Sequence, residues 1–568
     1  MKTLTKILSL LNKVQTKNFY YLLFLMVIGM LLEVISISSI IPLLTLISDP
    51  TQLDNTIYIN YLLFIKNFFG FNDLLSLIIA FLVFVYFIKF IFLSFLAWFQ
   101  ASFVWNLQAS VSTQLFSNYM HQEYSFFFNK NSSELLRNTL GESGQFSGAV
   151  MAQTNLIAET MVIFGIGLLI ILYQPIPALA AILLIIISSL IFYLAIKERI
   201  KIWGRNRQYH EGLRIQNFNE GIGSLKDIKL MGRENSIINQ FSFHTYLSTH
   251  NSKFNSLLQS IPRLWLELFA ILSLALIFVI LGIINNNFVS ILPVVGVFAA
   301  AAFRLMPSIN RIMYSLQSLR FADVVINNLE NELNLKNEVL INEHSSFKNF
   351  NNLKLRNVSY SYPSTEIPAI SDINITINKG DKVGIKGPNG SGKSTLLDII
   401  LAFLEPSAGI LSVNDIQVTK QNRRDWQNLI GYVSQNIFLI DDTLEKNIAL
   451  GVKFGDIDNE RLSEAIKKSQ LEEFIDSLPE GIKTKVGESG IRLSGGQKQK
   501  IAIARSLYHQ PQVIIFDEAS SALDVKTEEE IFNSVTKIED KTIIIVTHRF
   551  ASLNNCDKLL DLQSGKII

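Results

Sequence analysis

Long apolar runs confined to the first 320 residues constrain this chain more than any other feature. A hydrocarbon core about 30 Å thick needs about 20 apolar residues for each helical crossing. Tyr20–Ser48 supplies 29 residues with a single charge, Glu33. Leu74–Phe103 is interrupted only by Lys89. Leu156–Tyr173 and Ile176–Ile196 follow, separated by Gln174-Pro175. Ile261–Ile284 and Phe288–Phe303 complete the set, parted by Asn285–Asn287, and the last continues as a helix towards residue 320. Six spans are expected. Composition agrees: 49% of residues are hydrophobic, 40 are Phe, and only 17% are charged, against about 25% in a soluble protein. Such a chain has ample apolar surface to bury, which excludes disorder. A single cysteine, Cys556, excludes a disulfide scaffold. The net charge of +2 creates no field that points to nucleic acid, so no nucleic-acid partner is expected.

Orientation follows from loop charge. The tail 1–19 holds four Lys and no acid, and loop 197–260 holds ten Lys and Arg, whereas 174–177 and 285–288 hold none. The N-terminus is therefore expected inside, and six crossings return the chain to the same side. Four lysines before a run too long for a signal h-region argue against a signal peptide. Segment 49–71 lies outside, and Tyr58, Tyr61, Leu62, Ile65, Phe68 and Phe69 fall at helical spacing. It is either an amphipathic helix on the membrane surface or an ordinary packed loop. Loops 105–155 and 197–260 keep helical composition, so their helices should extend below the bilayer. Residues 125–143 and 221–234 hold Gly, Asn and charges at the turning points. Residues 321–352 read as a helix end plus linker, and 353–568 as a soluble domain.

The soluble part carries nucleotide chemistry. A strand-like Leu353–Tyr362 opens it, and the strand Lys382–Lys386 runs into Gly387-Pro388-Asn389-Gly390-Ser391-Gly392-Lys393-Ser394, with a helix from Thr395 to Leu401. Strand, glycine-rich loop and helix form the phosphate-binding pattern. The glycines let backbone N–H groups turn inward as an anion nest, and the helix N-terminus adds partial positive charge. Lys393 can reach the β and γ phosphates of ATP, and Ser394 can ligate Mg²⁺. Val513–Phe516 is a buried-strand run that ends in Asp517-Glu518. Asp517 suits the Mg²⁺ shell, and Glu518 suits a base that polarises the attacking water. A carboxylate that merely caps the strand is the alternative.

Leu493-Ser494-Gly495-Gly496-Gln497 matches the ABC ATPase signature, and the chain resembles an ABC transporter subunit of the type IV exporter architecture. The resemblance covers the whole soluble half, with the motifs in family order. It implies a fold with a six-span α-helical membrane domain (1–320), a linker (321–352) and an α/β P-loop ABC nucleotide-binding domain (353–568). It implies ATP and Mg²⁺ as cofactors, bound by Gly387, Asn389, Gly390, Gly392, Lys393, Ser394 and Thr395. Tyr362 matches the aromatic that stacks on adenine, and Gln435 the Q-loop glutamine, a Mg²⁺ ligand together with Ser394 and Asp517. Ser521-Ala522-Leu523-Asp524 matches the D-loop, Gly487-Glu488 the X-loop and His548 the switch histidine. Glu518, His548 and Gln435 carry over as catalytic. In the family, the signature of one subunit (Ser494, Gly495, Gly496 and Gln497 here) closes on ATP held by the other. One phosphate loop and one signature therefore imply a half-transporter that works as a homodimer. Lys500 stands where many relatives have Arg, which bears only on local packing. By resemblance, coupling helices fall near 125–137 and 224–231.

Charges inside spans are costly and mark function or interior-facing positions. Arg304 and Arg311 are seven apart with Ser308 between them, on one helix face of span six. Arg263 and Glu267 stand at i, i+4 on span five, and Lys89 lies mid-span two. A basic cavity suits an anionic head group, a pyrophosphate above all, through Arg forks. Pairing, as of Arg263 with Glu267, plus snorkelling is the other reading. Phe303–Ile312 and Ile261-Pro262-Arg263 look like segments of the bacterial lipid-linked oligosaccharide flippase of protein N-glycosylation. That resemblance implies a polyprenyl-pyrophosphate oligosaccharide as substrate, moved from the inner to the outer leaflet of the bacterial inner membrane. It also implies cavity roles for Arg263, Arg304 and Arg311. Lys89 stands in place of a fourth Arg and lacks the planar fork. An exporter of another amphiphile (a drug, another lipid or a peptide) is the alternative, and a channel or receptor is a third class. Nineteen residues precede span one, so a peptidase-processing exporter is not expected. Six spans exclude the soluble ABC ATPases.

Overall fold

The computed structural model describes residues 2–48, 73–284, 288–335, 347–362, 365, 367–518, 541–547, 553 and 556–568. The expected surface segment 49–71, the Asn285–Asn287 turn, the D-loop Ser521–Asp524 and the switch residue His548 lie outside them. The chain divides into two compact units, Met1–Gln122 with Asn129–Asn337, and Glu123–Phe128 with Glu338–Ile568.

Among the described residues, the first unit is helical. Helix α1 (Lys2–Ser9) is followed by α2 (Lys13–Ser38) and α3 (Ile40–Ser48). Asn12 starts α2 with a reciprocal capping box: its Oδ1 accepts from Gln15 N at 2.8 Å and its N–H donates to Gln15 Oε1 at 2.9 Å. The first apolar run, expected as one helix, is broken at Ser39. The hydroxyls of Ser36, Ser38 and Ser39 all bond back to carbonyls three residues earlier, and Pro42 has no N–H to give Ser38. Together they loosen the helical ladder there.

Helix α4 (Leu74–Met120) has 47 residues, so it extends about 70 Å at 1.5 Å per residue, more than twice a hydrocarbon core. A 3-10 turn (Tyr124–Phe128), a short helical turn (Ser132–Leu136) and a π-helical turn (Arg137–Glu142) lead into α5 (Ser143–Tyr173), which α6 (Pro175–Gly223) follows. Gln174 is extended, and Pro175 takes the first helical position, where no N–H is needed. Helix α7 (Leu225–Met231) ends on Gly232, and α8 (Glu234–Ile284) runs back alongside α6. Five helices among the described residues are long and apolar enough to cross a membrane. The sixth expected run lies in α9 (Phe288–Phe321). Ile37, Ile166, Ile170, Ala178, Ile277, Phe298 and Ala301 make a common core. Phe81, Phe84, Phe87 and Phe90 of α4 are exposed, in a helix long and apolar enough to cross a membrane.

The expected linker 321–352 is partly helix. In α10 (Asp323–Leu333), Val325, Ile326, Leu329 and Leu333 are buried. Their spacing makes one apolar stripe, which packs in the first unit. Beyond the undescribed stretch, Phe347 and Phe350 already belong to the core of the second unit.

The second unit is α/β. Strands β1 (Asn352–Tyr360), β2 (Ile370–Asn378), β4 (Ala408–Val413) and β5 (Ile416–Gln417) form an antiparallel sheet in the order β2-β1-β4-β5. A second sheet takes in β3 (Lys382–Lys386), β6 (Ile430–Val433), β7 (Val513–Asp517), β8 (Thr542–Val546), β9 (Lys558–Gln563) and β10 (Lys566–Ile567), in the order β10-β9-β3-β8-β7-β6. All pairs of this sheet are parallel except β9 with β10. Strand β8 is buried along its whole length, as parallel strands covered on both faces must be. Glu123–Phe128, which follows α4 in the chain, folds with this unit. Tyr124 stacks on Phe403 at 5.0 Å, Phe128 meets Tyr362 edge-on at 6.1 Å, and Lys420 pairs with Glu123 at 2.5 Å.

Candidate active site

The parallel sheet aims two strand ends at one place. Strand β3 opens into the glycine-rich loop, and α11 (Lys393–Ile400) follows it. Two of the glycines leave no room for a side chain. A Cβ on Gly387 would lie 2.2 Å from the Leu562 carbonyl oxygen, and one on Gly392, whose φ is +100°, would lie 2.5 Å from that of Ala369. Lys393 Nζ donates to the carbonyls of Gly387 and Pro388 at 2.9 and 3.0 Å, curling back over the loop. Burial pulls its pKa down, against the attraction of Glu518 and Asp517. Ser394 is exposed at the start of α11. Thr395 is buried, and its hydroxyl shares a 3.1 Å hydrogen bond with Tyr362.

Strand β7 delivers the carboxylates. Asp517 ends the strand, and its Oδ2 accepts from the Tyr432 hydroxyl at 3.0 Å. Burial raises the Asp517 pKa, and the Tyr432 bond opposes the rise. Burial and the Asp517 charge push the Tyr432 phenol well above its ordinary range. Glu518 takes a left-handed backbone, φ +46°, held by its N–H on the Val546 carbonyl at 2.8 Å. That conformation costs a non-glycine residue of order 1 kcal/mol or more, and it turns the side chain off the strand line. Gln435 Nε2 donates to Glu518 Oε2 at 2.7 Å. Thus β6 and the segment after it touch both carboxylates, through Tyr432 and Gln435. Sequence reasoning singled out Gln435 but not Tyr432, whose place beside Asp517 depends on the β6–β7 register.

The donor set fits the nucleotide and its metal. Ser391 Oγ is buried in the loop without a hydrogen-bond partner. Ser394, Asp517, Gln435 and Glu518 present hard oxygen atoms, the kind that Mg²⁺ takes. Ser494 caps α12 (Gly495–Tyr508): its Oγ accepts from Gln497 N at 3.2 Å, and its N–H donates to Gln497 Oε1 at 2.8 Å. Ser494 and Gln497 thus hold one another, while Gly495 and Gly496 open the first turn with amides free of intrahelical partners. Lys500 Nζ donates to the Gln470 carbonyl at 3.2 Å, a packing role.

In the first unit, each of the four basic residues singled out meets an acid. Arg304 grips Glu33 as a fork, Nη2 to Oε1 at 2.6 Å and Nε to Oε2 at 2.9 Å, and Nη1 reaches Ser308 Oγ at 2.7 Å. Lys89 Nζ lies 2.8 Å from the same carboxylate and 3.2 Å from Ser36 Oγ. Arg311 pairs with Glu159 at 2.5 Å, and Arg263 with Glu267 at 3.1 Å. The pairing alternative is therefore realised at Arg263 and extends to the other three. Glu33 and Glu159 were not singled out as site residues. The signal was there, since each is an acid inside an apolar run. The four do not form one cluster: Lys89 and Arg304 share Glu33, while Arg263 and Arg311 each keep an acid of their own.

The fold is that of an ABC exporter, and the nucleotide site lies in its ABC-type ATPase domain. A sequence profile of the ABC transporter family matches residues 370–521. The fold matches that of a bacterial Atm1-family ABC exporter solved with ATP bound, with a TM-score of 0.82 over 98% of this chain and 95% of that one, at 18% identity. A Rickettsia bellii protein provisionally named an export ATP-binding/permease protein is 28% identical over 83% of both chains. The ATP-dependent lipid A-core flippase of Saccharophagus degradans is 28% identical over 82% of this chain and 78% of its own length.

Proposed function

We propose that this chain is one half of a homodimeric, ATP-driven flippase of the bacterial inner membrane. Its substrate is a lipid with a phosphorylated head group, a polyprenyl-pyrophosphate-linked oligosaccharide, which it carries from the inner to the outer leaflet. The supporting observation is the Lys89–Glu33–Arg304 group inside apolar helices, two cations on one carboxylate, which leaves one net positive charge per copy. Arg311 and Arg263 add forked donors that a phosphate can share with their acids. A charge in a membrane is retained at a cost of several kcal/mol, and a mobile anionic head group gives that cost a use.

In the ATPase unit, Tyr362 stacks on the adenine ring. The glycine-rich loop and Lys393 hold the phosphates, while Ser394, Asp517 and Gln435 would hold Mg²⁺. When bound, the ion draws electron density from the phosphate oxygens. Glu518 takes the proton of the attacking water, oriented by Gln435. Gly495 and Gly496 of a second copy, with their helix N-terminus, close over the γ-phosphate. Closure binds two copies together, and loss of the γ-phosphate removes the contacts that favour it. Glu123–Phe128, docked on Phe403 and Tyr362 beside the adenine site, is the lever through which closure reaches α4.

The test is translocation of a fluorescent polyprenyl-pyrophosphate glycan in proteoliposomes. Arg304→Ala or Arg311→Ala should abolish it, and unchanged transport in both would refute the substrate class. A lipid A-type substrate is the second reading, favoured by the name of the Saccharophagus degradans relative. Transport of lipid A but not of the polyprenyl glycan would select it.

A further inference from the structure

We infer that Glu33 is an internal counter-ion seated in the anion cradle formed by Lys89 and Arg304, and that a lipid pyrophosphate binds by displacing it. The inference rests on the substrate class proposed above.

The geometry supports it in three ways. First, a buried carboxylate needs one cation for neutrality, and here it has two, from α4 and α9. Glu159, the next acid towards Arg304, is taken by Arg311. A second, partly buried cation carries its own desolvation cost, which Glu33 alone does not offset. Second, the Arg304 fork holds both carboxylate oxygens, at 2.6 and 2.9 Å. A phosphate presents the same paired oxygens to the same fork. The hydroxyls of Ser308 and Ser36 stand beside the two cations and already bond to them. Third, the acid and the cations differ in access. The Glu33 side chain is 4% exposed, whereas those of Lys89 and Arg304 are 15% and 22% exposed. An incoming anion reaches the cations from the open side while Glu33 stays behind them.

Displacement has a mechanical consequence. The carboxylate ties α2 to α4 and to α9. When the cations turn to a substrate anion, those ties are lost together, so head-group binding and the three-helix lock exclude one another.

The test uses the full chain in phosphatidylcholine nanodiscs, with binding read by intrinsic fluorescence. The probes are a polyprenyl pyrophosphate, the corresponding polyprenol and inorganic pyrophosphate. Glu33→Gln keeps size and hydrogen bonding but removes the competing charge. It should tighten polyprenyl pyrophosphate binding about tenfold and leave polyprenol unchanged. Glu33→Asp, whose carboxylate is one methylene short of spanning both cations, should shift affinity in the same direction by less, and it carries the test if Glu33→Gln does not fold. Competition by inorganic pyrophosphate would place recognition in the anion; without competition, the lipid-linked form is required, and the displacement is judged on the lipid alone. Wild-type binding of the lipid pyrophosphate that Arg304→Ala loses but neither Glu33 variant strengthens would overturn the counter-ion role and spare the substrate class. Equal binding of pyrophosphate and polyprenol by the wild type would overturn both.

Discussion

Asp398 offers a stability measurement whose sign depends on pH. It lies on the phosphate helix α11, and its charge is felt by Tyr124, Tyr360 and Tyr432. Burial first, and the neighbouring Asp517 carboxylate second, push its pKa from 3.8 to about 6. A rise of about two units corresponds to ~3 kcal/mol of penalty on the charged form, and partial exposure of the group reduces that to about 1–2 kcal/mol. The folded chain therefore binds this proton more tightly than the unfolded one. Stability falls as pH rises from about 4 to about 6, and above that the whole penalty is present. Asp398→Asn removes it. In scanning fluorimetry of the detergent-solubilised full chain, the variant should melt a few degrees above wild type at pH 7.5. At pH 4 the gap should close, because both side chains are then neutral. An equal gap at both pH values, or a less stable variant at pH 7.5, would refute the reasoning.

Glu518→Gln should bind ATP and lose at least a hundredfold in hydrolysis rate, because an amide cannot take a proton from water; steady-state ATPase with a nucleotide-binding control checks it. Tyr432→Phe removes the hydroxyl that holds Asp517 Oδ2, so it should raise the Mn²⁺ concentration needed for half-saturation several-fold, as read by electron paramagnetic resonance of the bound metal in the presence of ATP. Cys556 is half-buried, and burial pushes its thiol up to about 11. At pH 7.5 its thiolate fraction is therefore far below that of a free cysteine near 8.5, and maleimide should label the native protein more than tenfold slower than the unfolded chain.

Local chemistry settles early what kind of protein this is. Whether a run crosses a membrane depends on its own length and polarity, so Leu74–Phe103 and Ile176–Ile196 could be read without neighbours, and both lie within single helices. The strand–loop–helix around Gly387–Ser394 and the helix start at Ser494 are short-range as well. A glycine that admits close approach and a serine that caps its own helix act over a few residues. In 321–352, read as a helix end plus linker, Asn and Glu dominate the composition, and the stripe of Val325, Ile326, Leu329 and Leu333 is what packs the helix Asp323–Leu333.

What the sequence by itself determined is therefore the class of chain: apolar helices of membrane length joined to a phosphate-binding α/β domain with its signature. Only the tertiary structure decided which charges meet. Arg304 finds Glu33 across 271 positions of sequence and Lys89 finds it across 56, and Tyr432 reaches Asp517 across 85. No local rule ranks such partners, because the energy of a buried charge depends on what the packed helices and the strand register bring within 3 Å of it.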